Sequence, residues 1–305
     1  MTIFNGVLPA ITTPFDERGE IDHDFVSRHV RWLVEYGATG IVPHGSLGEG
    51  STLTFDEKST LQRTCVAALG GRGAVIPGIA ALSTAEAVAL AQTAEENGCA
   101  GLMVLPPYLY ASDWREIKAH LSAVIRATAL PVMLYNNPVA YRTDFVPEQV
   151  AELAAEHPNL LAIKESSTDV RRITALKALL GDRLALGVGV DDVLVEGVEA
   201  GATFWVAGLV SAFPAESVAL FNLAREGGSR AAFNLYHWFL PLLRLDTVLK
   251  FVQLIKLAQA ETGTGTERVR PPRLPLTGAE REEALAVIRQ ALATRNAAVA
   301  TGDRP

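Results

Sequence analysis

The chain is poor in the groups that mark several protein classes. It has only two cysteines, Cys65 and Cys99, and they form no metal or redox spacing. Both are read as reduced core thiols. The six histidines show no ligand spacing, so no metal is expected, and nothing in the pattern asks for a cofactor. Basic residues are outnumbered, 27 Lys and Arg against 34 Asp and Glu, and no basic block offsets the net charge of −7. That balance excludes nucleic acid as an expected partner. No apolar run approaches the ~20 residues a membrane span needs. The start, Met1-Thr2-Ile3-Phe4-Asn5, lacks a basic segment followed by an apolar one. These absences together lead us to expect a soluble cytoplasmic protein. The dinucleotide fingerprint G-x-G-x-x-G is missing after the first apolar run, and Gly187-Val188-Gly189 lacks its third glycine.

What the chain does have is repetition. Short apolar runs recur at Val7–Pro14, Gly40–Pro43, Val75–Ile79, Gly101–Leu105, Pro131–Tyr135, Leu160–Ile163, Leu184–Val188 and Thr203–Gly208. Runs this short and continuous read as strands buried on both faces, and helical periodicity fills the intervals. Residues 24–36 place Phe25, Val26, Val30, Leu33 and Val34 at helical spacing, and Gly37 stops them. Thr54 with Glu57, Ser83 with Glu86, and Thr277 with Glu280 read as capping boxes. Eight βα units over ~210 residues predict a closed (β/α)8 barrel. After residue 212 only helical patterns remain: 213–225, 229–243, 249–261 and 279–300. The expected division is therefore a barrel over 1–212 and C-terminal helices over 213–305, comprising the last barrel helix and an extension.

In such a barrel the site lies at the C-terminal strand ends. The candidates are then Gly45-Ser46-Leu47, Pro107-Tyr108, Tyr135, Lys164, Gly189 and Ala207-Gly208. Four apolar residues, Leu160 to Ile163, run straight into Lys164. A lysine ending a buried strand has either a partner, such as Glu165, or a task. Desolvation lowers an amine's pKa and makes it nucleophilic toward carbonyls. Tyr135 ends its own apolar strand, where a phenol can pass protons. The turn around Ser46 and Leu47 offers backbone N–H groups as a nest for a carboxylate. Arg142, in the loop after Tyr135, is a candidate clamp for a second carboxylate. His44, beside the glycine turn, is a lone histidine that could face the site.

Gly45-Ser46-Leu47-Gly48-Glu49, Tyr135-Asn136-Asn137-Pro138 and Ile163-Lys164-Glu165-Ser166, in this order and spacing, resemble the dihydrodipicolinate synthase / N-acetylneuraminate lyase family. The resemblance covers nearly the whole chain. It implies a (β/α)8 TIM barrel with a C-terminal helical extension, usually tetrameric, and lyase chemistry of the class I aldolase type on a small 2-oxo acid or imino acid. It implies that Lys164 forms the Schiff base, that Tyr135 relays protons with help from Ser46, and that the N–H groups of Ser46 and Leu47 hold the substrate carboxylate. It further implies a backbone contact at Val206.

The departures bear on substrate. Dihydrodipicolinate synthases usually carry two threonines where this chain has Ser46 and Leu47. They also carry a second tyrosine, reaching across a dimer interface, where this chain has Leu109. Val139-Ala140-Tyr141 widens the gap before Arg142. The turn, the Tyr-Asn-Asn-Pro loop, Pro241-Leu242-Leu243 and Arg270-Pro271-Pro272-Arg273-Leu274 resemble a catabolic branch that includes 1-pyrroline-4-hydroxy-2-carboxylate deaminases. The expected function is thus a Schiff-base lyase or synthase with a deaminase-like outcome. The alternatives are a dihydrodipicolinate synthase acting on pyruvate and aspartate semialdehyde, or a 2-keto-3-deoxy sugar acid aldolase or dehydratase. A non-catalytic 2-oxo acid sensor would need neither Lys164 nor Tyr135.

Overall fold

The structure, a computed structural model, describes residues 2–107, 109–111, 113–227 and 230–295. Among these residues, nine parallel strand segments form the inner wall: β1 Gly6–Pro9, β2 Gly40–Ile41, β3 Ala74–Val75, β4 Gly78–Ile79, β5 Leu102–Val104, β6 Val132–Asn136, β7 Leu160–Glu165, β8 Ala185–Val188 and β9 Phe204–Ala207. The expected third strand is divided into β3 and β4 because Pro77 lies between them and has no N–H for the ladder. Seven segments pair in the order β1-β9-β8-β7-β6-β5-β4, and β2 pairs with β3. Thr39 N donates to Val7 O at 3.0 Å and Val42 N to Pro9 O at 2.7 Å, so β1 meets β2. Met103 N donates to Pro77 O at 3.0 Å on the other side of the break. The curled sheet is thereby a TIM barrel wall, as expected.

Among the described residues, twelve helices surround and extend it: α1 His23–Glu35, α2 Phe55–Leu69, α3 Thr84–Glu96, α4 Trp114–Arg126, α5 Pro138–Tyr141, α6 Pro147–Glu156, α7 Arg171–Leu180, α8 Leu194–Glu199, α9 Pro214–Arg225, α10 Arg230–Leu243, α11 Phe251–Glu261 and α12 Gly278–Ala293. Thr54 and Glu57 form the full capping box of α2, whereas Ser83 makes half of one by accepting from Glu86 N at 3.2 Å. Thr277 precedes α12 without a side-chain cap, because Glu280 turns instead to Lys250 of the preceding segment. The stretch 296–300, expected to continue α12, lies outside the described residues, as does Ser229 at the expected start of α10.

Strand alternation sorts the side chains into two layers. Leu8, Val42, Met103, Met133, Tyr135, Ala162, Phe204 and Val206 pack together inside the barrel. Their neighbours Leu134, Ile163, Val188 and Trp205 face outward into the core beneath the helices. Lys164 is two residues beyond Ala162 and so shares the inward face. Among the described residues no helix is long and apolar enough to cross a membrane.

Candidate active site

Lys164 and Tyr135 are register partners on adjacent strands β7 and β6. The Lys164 side chain is 6% exposed, and its Nζ lies 4.1 Å from the centre of the Tyr135 ring. The amine therefore rests on an aromatic face, a favourable seat for a partly desolvated cation. Glu165 is not its partner. The opposite parity sends Glu165 outward, where Asn136 Nδ2 donates to it at 3.0 Å and Ser167 N at 2.6 Å, and burial raises its pKa.

The space beside Lys164 depends on Gly189. A Cβ built there would sit 2.0 Å from Ser166 Oγ and 2.5 Å from Lys164 Cε. Ser166 Oγ is itself buried with no hydrogen-bond partner among the described residues. Val206 is buried in the same interior cluster as Tyr135.

Ser46 and Leu47 sit in a tight turn, since Gly50 N donates back to Gly45 O at 3.1 Å. A Cβ on Gly50 would meet His44 O at 2.1 Å, so the turn requires glycine there. Among the described residues, neither Ser46 N–H nor Leu47 N–H has a hydrogen-bond partner, which leaves two donors for an anion. Ser46 Oγ bonds to the Tyr141 hydroxyl rather than to Tyr135. The Tyr135 hydroxyl instead accepts from Asn137 Nδ2 at 2.9 Å.

Arg142 ends α5 with a positive φ of 57° and is exposed, without an ion-pair partner among the described residues. His44 is locked away from the site between Gly78 O (Nδ1, 3.1 Å) and Gln62 Nε2 (Nε2, 3.1 Å). If Nδ1 carries the proton, both contacts are satisfied by a neutral ring, and burial holds its pKa down to about 3. Tyr108 lies outside the described residues, and Leu109 is 95% exposed.

Two acids that the strand-end survey did not select also belong here. Asp191 accepts from Trp205 Nε1 at 3.0 Å and from Leu209 N at 3.2 Å. Asp246, from the segment between α10 and α11, brings its carboxylate against Gly208, where a Cβ would lie 2.3 Å from Oδ1. That oxygen is buried and has no hydrogen-bond partner among the described residues. Burial raises the pKa of both acids, each within electrostatic reach of Lys164, whose charge opposes the rise. Asp191 directly follows the Gly189-Val190 strand end and was within reach of the sequence argument. Asp246, 82 positions after Lys164 in the chain, gave no local signal.

A buried lysine on a tyrosine face, a donor turn for a carboxylate and an adjacent acid pair form a site suited to carbonyl chemistry through an amine. The chain matches the Dihydrodipicolinate synthetase family over residues 3–291 and belongs to it. It is 30% identical over 292 residues to a 4-hydroxy-tetrahydrodipicolinate synthase of Geobacter metallireducens, covering 94% of this chain and 99% of that protein. It is 33% identical to another from an Exiguobacterium species, covering 90% and 92%. Among solved structures, a dihydrodipicolinate synthase of Bacillus anthracis superposes with a TM-score of 0.90 at 29% identity, over 95% of this chain and 99% of that one. A family protein of E. coli K12 crystallised with pyruvate gives 0.89 at 25% identity, over 95% and 99%. The protein is accordingly an enzyme, a lyase of the Schiff-base class I aldolase type.

Proposed function

We infer that the enzyme acts on a 2-oxo acid or cyclic imine through Lys164, with a catabolic, deaminase-like outcome on 1-pyrroline-4-hydroxy-2-carboxylate. The observation that carries the inference is the Lys164 amine seated 4.1 Å over the Tyr135 ring inside the barrel. Lys164 Nζ attacks C2, and the iminium formed acidifies the proton on C3. Tyr135 moves that proton, with its hydroxyl oriented by Asn137. The free N–H groups of Ser46 and Leu47 take the substrate carboxylate. Gly189 leaves room for the lysine stem and Val206 supplies a backbone contact. The pyrroline has one carboxylate, so the exposed Arg142 is a clamp only for the alternative substrate, aspartate semialdehyde, which brings a second.

With the pyrroline, attack by Lys164 opens the ring by transimination. The C4 hydroxyl then leaves as water, and the new double bond tautomerises to an imine at C5. Two waters hydrolyse that imine and the Lys164 Schiff base, releasing ammonia and the 2-oxo acid semialdehyde with one water consumed overall. Asp191 and Asp246 lie within electrostatic reach of Lys164, burial raising the pKa of each and the Lys164 charge opposing the rise. A second reading, 4-hydroxy-tetrahydrodipicolinate synthesis from pyruvate and aspartate semialdehyde, is favoured by the names of the relatives above. Leu47 and Leu109 weigh against it, since neither side chain can carry a proton. The test is kcat/KM measured for both substrates side by side, with sialic acid and 2-keto-3-deoxy sugar acids in the panel. We expect the pyrroline to lead. A value above ~10⁴ M⁻¹s⁻¹ for pyruvate with aspartate semialdehyde would be ordinary enzyme efficiency and would establish the second reading.

A further inference from the structure

The relay expected between Ser46 and Tyr135 is built differently. Asn137 does two things at once: its Oδ1 accepts from Ala140 N at 3.0 Å, capping α5, and its Nδ2 donates to the Tyr135 hydroxyl at 2.9 Å. The single turn that follows carries Tyr141 back over the site. Its ring meets the Tyr135 ring edge-on, with centroids 5.9 Å apart at 81°, and its hydroxyl bonds to Ser46 Oγ. The positive φ of Arg142 then leads the chain outward. Tyr141 and Ser46 are both half-buried. Leu109, which stands where the synthases have their second tyrosine, brings no hydroxyl.

We propose that Tyr141 is the third relay member of this site, a positioning and proton-passing residue acting through Ser46 and supplied by the same chain as Lys164. The proposal rests on the Schiff-base reading above. Forming an iminium from a neutral amine and a ketone consumes one proton and releases one water. The C2–N bond forms and the C2–O bond breaks. The proton enters from solvent at the Tyr141 oxygen, the Tyr141 proton passes to Ser46 Oγ, and the Ser46 proton passes to the departing oxygen. The second hydrogen of the water comes from the Lys164 amine, which goes from –NH2 to the iminium N–H. Each hydroxyl ends as it began. A second tyrosine from a neighbouring subunit then has no step left to perform.

The experiment is single-turnover borohydride trapping of pyruvate on Lys164, read by mass spectrometry in the full-length protein. Tyr141→Phe keeps the ring against Tyr135 and removes only the oxygen. We expect its limiting trapping rate to fall at least tenfold, the lower part of the range for acid–base contributions because water substitutes in part. The half-saturating pyruvate concentration should stay within threefold, and the solvent isotope effect should change. Ser46→Ala approaches the same pair from the other side. Two residues of one relay should be non-additive, so the double variant should be no slower than the slower single one. A Tyr141→Phe protein that traps at the wild-type rate, or effects that multiply in the double variant, would overturn the proposal while leaving the Lys164 chemistry intact. A wild-type protein that yields no Lys164 adduct would instead overturn the Schiff-base reading and the relay with it.

Discussion

Lys256→Met tests how the C-terminal helices hold the turn that carries Ser46 and Leu47. Glu49, in that turn, is 0% exposed, and Lys256 of α11 is 1% exposed. Their ion pair is supplemented by Lys256 Nζ donating to Arg268 O at 2.6 Å and by Arg270 N donating to Glu49 at 3.0 Å. Lys256 also stacks 4.5 Å over the Phe15 ring. Burial lowers the Lys256 pKa, and Glu49 opposes that shift. Removing one partner of a buried pair destabilises by about 3–5 kcal/mol, because the other charge is left uncompensated. Glu49 would keep the Arg270 N–H and Arg273 at 3.7 Å, so the lower end, about 3 kcal/mol, is expected. For 305 residues the unfolding entropy is about 0.6 kcal/mol/K, giving a fall in Tm of about 5 °C. The assay is calorimetry alongside urea unfolding. Replacing both residues, Lys256→Met with Glu49→Leu, should restore part of the loss. A single variant that loses less than about 1 kcal/mol would refute the view that this pair is the anchor.

Three further outcomes follow from the site and core. Gly189→Ala would push into Ser166 Oγ and the Lys164 stem, 2.0 and 2.5 Å away. A lysine displaced by ~1 Å should lose roughly 10²-fold in turnover, and unchanged kinetics would refute the packing argument. Tyr135→Phe should lower turnover by roughly 10²–10⁴-fold while leaving borohydride trapping partly intact, and near-normal turnover would remove Tyr135 from proton transfer. His29 is buried, and burial holds its pKa down to about 4. Between pH 6.5 and 4 the unfolded chain binds the proton that the folded ring refuses, so stability falls as pH falls, by about 3 kcal/mol for this group. Asp191, raised by burial, acts in the opposite sense, so the measurement is the difference between wild type and His29→Gln. The variant should show a flatter acid limb, and parallel limbs would contradict the assignment.

The barrel was legible because its signals are local. A continuous apolar run ending in a polar residue marks both a strand and its open end, and that pattern selected Lys164 and Tyr135 one by one. That they are register partners on neighbouring strands came from the structure. What depended on distant parts of the chain was not legible. Pro77 gave no warning that it would split a strand, since a single isolated proline also suits an edge. Ser46 and Tyr141 lie 95 positions apart, and the four-residue helix that joins them in space is too short for periodicity to reveal. Glu49 and Lys256 are separated by 207 positions. The box expected at Thr277 failed because Glu280 found a cation across the turn. Where one residue type can serve several local arrangements, the third dimension chose among them.

The most direct measurement is trapping of the covalent intermediate on the unmodified enzyme. The protein is incubated with pyruvate or 1-pyrroline-4-hydroxy-2-carboxylate, reduced with borohydride, digested and sequenced by mass spectrometry. The account predicts one reduced adduct, on Lys164, absent from Lys164→Ala, which should also lose activity by several orders of magnitude. An adduct confined to another lysine, or full activity in Lys164→Ala, would contradict it.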